Sequence, residues 1–135
     1  GLAASMAFEI RKKWKHQPRI IVVEPQAAPC LFESHKLGRL TKVSGPASSM
    51  GRLDCKEPSL IAFDILNDLA DDFVCVSDYE AATAVDYLAQ NELATTPSGA
   101  AGIAAILINS RLDSKEKFAI PDGSICLAIV SEGSL

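Results

Sequence analysis

Apolar and polar residues alternate along the chain in short blocks, and the spacing within each block predicts its secondary structure. From Leu2 to Trp14, apolar side chains recur every three to four residues, which is the spacing of one helical face. Only Gly1 precedes this helix, so no side chain is available to cap its first N–H groups. The spacing also predicts a short helix that ends over Ser34–Leu37, with Gly38 as its C-cap.

Three further helices are predicted from the same spacing. One begins near Pro58, a favourable first-turn residue, and turns one side inward through Ile61, Ile65, Leu66 and Leu69. The next is capped by Ser77 or Asp78 and carries Ala81, Val85 and Leu88. Ser98 caps the last, an almost wholly apolar helix with the sequence GAAGIAAILI, which we expect to be covered on all sides.

Four apolar runs lack polar alternation and have the length of buried strands. They are Arg19–Val23, Leu40–Val43, Phe73–Val76 and Ile125–Val130. Strands of this kind separated by helices predict an α/β fold, with a parallel or mostly parallel sheet and helices on both faces. The chain shows no internal repeat or linker, so we expect residues 1–135 to form a single domain.

Composition excludes several classes of function. The 135 residues are 48% hydrophobic and carry a net charge of −4, which does not suit nucleic-acid binding. The basic residues cluster only over Arg11–Lys15, most simply as a solvated helix face. No apolar run has the length of a membrane span, and no signal-peptide pattern is present. Four cysteines without a CxxC pair and two histidines argue against a structural zinc site, so we expect reduced thiols and a cytoplasmic location.

Candidate chemistry lies where the predicted strands end. The stretches VEPQAAPC, VSDYEA and VSEGSL each follow a strand, and ligands of parallel sheets sit at the carboxyl ends of the strands. Taken singly, each stretch also reads as an ordinary strand-to-helix turn.

Taken together, five stretches carry a resemblance to a known family. They are IIVVEPQAAPCLFES, SSMGRLDCKEPS, DDFVCVSDYEA, TTPSGAAG and AIVSEGSL, and they span essentially the whole chain. Their order and spacing resemble the C-terminal part of pyridoxal-phosphate enzymes of the tryptophan-synthase-β type (fold type II). Within these, MGRLDCKEPS points to diaminopropionate ammonia-lyase, which converts 2,3-diaminopropionate to pyruvate and ammonia.

The resemblance implies a set of cofactor contacts. GLAAS matches the end of a glycine-rich loop whose backbone N–H groups hold the cofactor phosphate. Gly51 and Arg52 match a loop against the cofactor ring, and Ser131 matches the hydroxyl that meets the pyridine nitrogen, although it could be a turn serine. The full set is Gly1, Leu2, Ala3, Gly51, Arg52, Ser98, Gly99 and Ser131. A plain N-cap is the alternative role for Ser98, and Thr96 stands where many relatives have an acidic residue.

The family's lysine that binds the cofactor covalently has no equivalent among these 135 residues. Lys12, Lys13 and Lys15 are expected on an exposed helix face, and Lys56 in a mobile loop. We therefore assign no catalytic residue. We expect the chain alone to bind no pyridoxal phosphate and to show no turnover.

A metal site is not predicted. Glu24 and the carbonyl of Ala28 match positions that hold a cation in the serine-racemase and threonine-dehydratase relatives, but Cys30 replaces their acidic third ligand. Hard cations prefer oxygen ligands, so Glu24 is expected to cap local backbone instead.

Several alternatives remain open at this stage. The chain is either part of an ammonia-lyase or a free-standing α/β module that binds a partner or a small ligand. We expect a homo-oligomer that buries the face of Leu2, Met6 and Ile10 and the apolar helix over residues 99–108; alternatively, the first helix covers the sheet internally. Cys55 and Cys75 either form a redox-dependent disulfide or remain separate thiols.

Overall fold

The computed structural model describes residues 1–109 and 118–133. Two strands pair in parallel, with Ile21 opposite Asp72 at one end and Pro25 opposite Val76 at the other. The predicted α/β fold with a parallel sheet is confirmed. The elements in chain order are α1 (Leu2–Lys13), β1 (Ile21–Pro25), α2 (Cys30–Leu37), α3 (Leu60–Leu69), β2 (Asp72–Val76), α4 (Asp78–Gln90) and α5 (Pro97–Asn109).

Helices cover both faces of this sheet. Along β2, Phe73 packs with α1 and α3 while Val74 and Val76 pack with α4 and α5, because successive strand residues point to opposite faces. The α1 side is closed by the small residues Ala4 and Ala7, which are 4% and 1% exposed. The first helix thus covers the sheet of its own chain through these alanines, which is the alternative to burial of this helix in an oligomer that the sequence analysis left open.

The amino ends of α2 and α4 lie at the carboxyl edge of the sheet because these helices directly follow β1 and β2, and α1 and α5 are oriented the same way. Arg11, near the end of α1, donates to the carbonyls of Leu69 and Pro18 at 3.0 and 2.8 Å and pairs with Asp71 at 2.6 Å. These partners precede the two strands, so α1 runs antiparallel to them. The last residue of α5, Asn109, accepts from the backbone N–H of Ile120 at the same edge of the sheet. The starts of α1 and α5 therefore point toward the carboxyl ends of the strands.

Two of the four predicted strands are not strands in the described part of the chain. In Leu40–Val43, the N–H of Thr41 donates to the side chain of Ser34 at 2.9 Å, so a local side chain replaces a ladder bond. In Ile125–Val130, no residue has a backbone hydrogen bond to the described residues, and Ile125 is fully exposed. Both predictions were wrong because an apolar run becomes a strand only when a partner strand lies beside it.

Two predicted helix ends are confirmed by the structure. Gly38 ends α2 in the left-handed conformation at φ 64°, as predicted. Ser77 caps α4 in a reciprocal capping box with Glu80. In contrast, α3 begins at Leu60 rather than near Pro58, and Ile61, predicted to face inward, is 71% exposed. No helix within residues 1–109 and 118–133 is long and apolar enough to cross a membrane.

Candidate functional site

Glu132 joins three distant segments at the carboxyl edge of the sheet. Its carboxylate pairs with Arg52 Nε at 3.2 Å and accepts from the hydroxyl of Thr96. Its backbone carbonyl accepts from Thr95 Oγ1 at 2.6 Å. Arg52, Thr95, Thr96 and Glu132 form what we call the Glu132 cluster. The cluster ties the loop before α3, the turn before α5 and the C-terminal segment into one surface.

The start of α5 lies on this surface. Thr96, not Ser98, caps the helix, since its Oγ1 accepts from the N–H of Gly99 at 3.2 Å. Ser98 lies inside the first turn, and its hydroxyl accepts from the backbone N–H of Arg52 at 3.1 Å. The alternative of Ser98 as a plain N-cap is therefore wrong, and its hydroxyl holds the Arg52 loop. A side chain at Gly99 would overlap Thr95 Oγ1, so only glycine allows this approach.

Two residues of the predicted site are open to solvent beside the cluster. Ser131 is exposed, and its hydroxyl makes no hydrogen bond to any residue in the described ranges. Gly51 is also exposed, and an added Cβ there would meet no atom within 4 Å. The Ser131 hydroxyl, without a partner in the described part of the chain, and the unobstructed backbone at Gly51 thus flank Arg52 and Glu132.

The phosphate-binding residues predicted at the start of the chain lie elsewhere on the same edge. Gly1 precedes α1 without a side-chain cap, and the first backbone N–H used within the helix is that of Ser5, which donates to the Gly1 carbonyl. The N–H groups of Leu2 and Ala3 remain without partners in the described part of the chain. Among these residues, no hydrogen bond joins Gly1, Leu2 or Ala3 to the Glu132 cluster. The structure thus brings Gly51, Arg52, Ser98 and Gly99 to Glu132 and its neighbour Ser131, with α1 in a separate layer.

Lys56 anchors the loop that carries Gly51 and Arg52. Its ammonium donates to the carbonyls of Ala27 and Pro46, both at 2.8 Å, and to Asp54 at 2.6 Å. The side chain is 27% exposed. All three N–H groups of Lys56 are therefore used, one to hold the loop to the turn after β1 and two within the loop itself. The mobility expected of this loop stays a prediction that these bonds do not favour.

Asp78 fastens the other side of this loop. One carboxylate oxygen accepts from the hydroxyl of Ser48 at 2.6 Å and the other from the N–H of Ser49 at 2.9 Å. These bonds hold the pKa of Asp78 below its ordinary value of 3.8. The Lys56 ammonium likewise lowers the pKa of Asp54. Sequence reasoning missed Lys56 as an anchor and Asp78 as a loop partner. For Asp78 the available signal was its position directly after β2, whereas Lys56, in the loop between α2 and α3, gave no such signal.

These two carboxylates predict an acid-labile loop. Because both pKa values are lower in the folded chain than in the unfolded chain, the stabilisation is present above pH 3.8 and is lost as the pH falls below it. Urea midpoints measured between about pH 6 and about pH 3 should fall steeply at the acid end. In Asp78→Asn the acid-end slope should be shallower, and an unchanged slope would contradict this role for Asp78.

Glu24 caps α2, as predicted from the sequence. Its carboxylate accepts from the N–H groups of Leu31 and Phe32 at 2.9 and 2.7 Å, and Cys30 Sγ lies 3.6 Å from one oxygen. Burial raises the pKa of Glu24, while these hydrogen bonds oppose the rise. No group of three or more His, Cys, Asp or Glu residues able to hold a metal ion exists in the part of the chain that the structure describes.

The four cysteines are free thiols. Burial, reinforced by the Glu24 carboxylate, raises the pKa of both Cys30 and Cys75 to about 12. Cys75 is therefore almost wholly protonated at neutral pH and a poor partner for exchange with the exposed Cys55. A Cys55–Cys75 disulfide stays a prediction that this arrangement does not favour.

A family model described as "Pyridoxal-phosphate dependent enzyme" matches residues 1–132. Among curated proteins, the chain is 35% identical to an L-threonine ammonia-lyase of Geobacter sulfurreducens, covering 79% of this chain and 27% of that protein. It is 32% identical to a diaminopropionate ammonia-lyase of Escherichia coli K12, covering 84% of this chain and 31% of that protein. The chain thus spans less than a third of the length of these relatives.

The fold comparison agrees with the sequence comparison. The crystal structure of the E. coli diaminopropionate ammonia-lyase, determined with an aminoacrylate–pyridoxal-phosphate intermediate, superposes with a TM-score of 0.70 and 27% identity. The match covers 84% of this chain and 30% of that structure.

Proposed function

Because this chain belongs to the pyridoxal-phosphate-dependent enzyme family, we propose that it forms a cofactor-facing wall of an ammonia-lyase. The observation that carries the proposal is the Glu132 cluster. It brings the loop at Arg52, the start of α5 and the segment at Ser131 to one edge of the sheet. These are the segments in which the family resemblance puts ring and nitrogen contacts.

The residues present fit the chemistry of the cofactor at three points. The N–H groups of Leu2 and Ala3, which have no partner among the described residues, lie at the positive end of α1 and suit a phosphate group. The open backbone at Gly51 admits a flat ring at close range. The hydroxyl of Ser131, which makes no hydrogen bond within residues 1–109 and 118–133, suits the pyridine nitrogen, for which it can donate or accept.

No described lysine is free and close to this wall. Lys56 lies nearest along the loop, and its ammonium already donates to Ala27, Pro46 and Asp54. The other lysines of the described ranges are exposed. Pyridoxal phosphate, when bound, supplies an electron sink for bonds to the α-carbon of an amino acid. This chain would orient the ring and exclude water from one side without supplying the covalent amine.

We propose 2,3-diaminopropionate as the substrate of the complete enzyme. In that reaction one molecule of 2,3-diaminopropionate and one of water would give one molecule of pyruvate and two of ammonia. The stretch MGRLDCKEPS and the 32% identity to diaminopropionate ammonia-lyase support this branch. Threonine is the competing substrate, since the identity to a threonine ammonia-lyase is similar.

The wall can be tested without turnover by using a cofactor analogue that lacks the aldehyde. We expect 4′-deoxypyridoxine 5′-phosphate to bind the chain weakly, with a dissociation constant on the order of millimolar, because only one wall contacts it. In ¹H–¹⁵N spectra, the amide signals of Gly51, Arg52, Ser98 and Ser131 should shift. The purified chain should retain no pyridoxal phosphate after desalting. It should release neither pyruvate from 2,3-diaminopropionate nor 2-oxobutyrate from threonine.

Two controls make this test specific. Inorganic phosphate should shift only the signals at the start of α1, and Ser131→Ala should weaken binding of the analogue but not of phosphate. Shifts confined to surface lysines, or no shift at concentrations of about 10 mM, would argue for a module that has lost the cofactor site. Release of pyruvate by the chain alone would overturn the view that it lacks the covalent amine.

A further inference from the structure

Glu132 holds the C-terminal segment against the rest of the chain. Over residues 125–133, every hydrogen bond to the described part of the chain is made by Glu132. Its backbone carbonyl accepts from Thr95 Oγ1 at 2.6 Å. Its carboxylate accepts from the hydroxyl of Thr96 and pairs with Arg52. Among the described residues, the polar attachment of this segment thus rests on the side chain and the carbonyl of one residue.

The backbone of Glu132 lies directly against the start of α5. A Cβ added at Gly99 would stand 3.4 Å from Glu132 Cβ and 3.5 Å from the Glu132 carbonyl oxygen. Thr95, which donates to that carbonyl, is 8% exposed, and the Glu132 side chain is 19% exposed. Glu132 is therefore packed in place and is not a solvent-exposed side chain that only touches its partners.

The charge of Glu132 also suits this position. The first turn of α5 contains no acidic residue, so Glu132 brings a carboxylate to this turn from another segment. The amino end of a helix carries partial positive charge, which favours a carboxylate there. Arg52 supplies a second positive group from the loop before α3, with its Nε 3.2 Å from Glu132 Oε1. The carboxylate thus joins two positive groups that belong to different segments.

We propose that Glu132 is a positioning residue that fixes the Ser131 hydroxyl relative to the Arg52 loop, a role that rests on the cofactor-facing wall proposed above. Ser131 and Gly51, which that proposal assigns to the ring, are the chain neighbours of Glu132 and Arg52. Hydrogen bonds tolerate only a narrow range of distances, about 2.7–3.2 Å between N and O atoms. The hydroxyl and the loop must therefore keep a constant separation, and the Arg52–Glu132 pair supplies this constraint.

Amide exchange of the chain without any ligand tests the coupling. The N–H of Arg52 donates to Ser98 Oγ at 3.1 Å, so its exchange rate reports whether the loop stays against α5. In Glu132→Ala this rate should rise by about fivefold, because the loop loses its ion pair. The N–H of Leu53, which donates to the Met50 carbonyl within the loop at 2.8 Å, should change little.

Glu57→Ala is the matched control, because it also removes an ion pair of the loop between α2 and α3, the pair with Lys42. It should leave the exchange rate of the Arg52 amide unchanged. An unchanged rate in Glu132→Ala, or an equal rise in both variants, would overturn the proposal. Circular dichroism melts verify that both variants fold.

Glu132→Gln separates the charge of the side chain from its shape. Glutamine keeps an acceptor for Thr96 but cannot form an ion pair with Arg52, so the Arg52 amide should exchange at an intermediate rate. In the unchanged chain, raising the salt concentration from about 0.05 M to about 1 M should speed this exchange, since Arg52 is 75% exposed and the pair is screened. Glu132→Gln should lose this salt dependence. Equal salt dependence in the two proteins would contradict the assignment of Glu132 as the charge that holds Arg52.

The cofactor analogue links this role to the proposed site. Glu132→Ala should weaken the binding of 4′-deoxypyridoxine 5′-phosphate by about fivefold and reduce the shift of the Ser131 amide signal. The shifts that inorganic phosphate causes at the start of α1 should stay the same. Full binding with an undiminished Ser131 shift would refute the positioning role. Absence of binding by the unchanged chain would count against the proposed wall, whereas the exchange rates judge Glu132 without the analogue.

Discussion

Glu24→Ala should lower the free energy of unfolding by about 3 kcal/mol, one of the two largest effects that we expect from a single substitution. The carboxylate satisfies the N–H groups of Leu31 and Phe32 at the start of α2. With alanine, both donors lose their partner in a site where Glu24 is only 7% exposed and water has little access. Each buried donor left unsatisfied costs about 1–3 kcal/mol. Alanine also removes the unfavourable free energy of burying the Glu24 carboxylate, which offsets part of the loss from the two unsatisfied N–H groups.

Urea unfolding of the variant against two controls checks this prediction. Glu24→Gln keeps one acceptor and should lose about 1 kcal/mol, since one of the two N–H groups remains bonded. Glu57→Ala removes a carboxylate that is 70% exposed and pairs with Lys42 at 3.6 Å, and it should change stability by less than about 0.5 kcal/mol. Equal effects in Glu24→Ala and Glu57→Ala would mean that Glu24 does not hold α2.

Gly45→Ala should destabilise the fold by roughly 2 kcal/mol through a backbone clash. An added Cβ at this position would stand 2.6 Å from the carbonyl oxygen of Ala27. That oxygen also accepts from Lys56, so it cannot move without loosening the anchor of the Arg52 loop. Because the contact is with backbone rather than with a flexible side chain, either the loop at Gly45 or the turn at Ala27 must shift.

Gly51→Ala is the matched control, because a Cβ there meets no atom within 4 Å. It should change stability by less than about 0.5 kcal/mol. Thermal or urea unfolding of the pair separates a general glycine effect, which both would show, from the clash, which only Gly45→Ala would show. A similar loss in both variants would contradict the close approach at Ala27.

Local signals in the sequence predicted the parts of the fold that local physics determines. Gly38 ends a helix because its left-handed conformation is favourable for glycine, and Ser77 caps one because Glu80 stands three residues later. The sequence prediction placed the cap of α5 at Ser98 rather than at Thr96 because several hydroxyl residues lie together at the start of this helix. Pro97 at the first helical position is the signal that identifies Thr96 as the cap.

The limits of prediction lie where a second segment decides the outcome. The apolar run Ile125–Val130 has the composition of a buried strand, but only a neighbouring strand could make it one. At the candidate site, the family resemblance led to Arg52 and Ser98, which contact one another. It did not lead to Glu132, because its role depends on residues far away in the sequence.

The parallel pairing of β1 and β2 also constrains how the chain can fold. Residues 26–71 separate the two strands, so no local hairpin can start the sheet. By contrast, α4 and α5 are consecutive in the chain and pack on each other through alanines such as Ala84 and Ala101, a contact that requires little loop closure. We therefore expect this helical pair to form early and the sheet to be completed late, when a long loop has been closed. The carboxyl edge and its cluster then assemble in the last step, which makes the candidate site the part of the molecule most sensitive to incomplete folding.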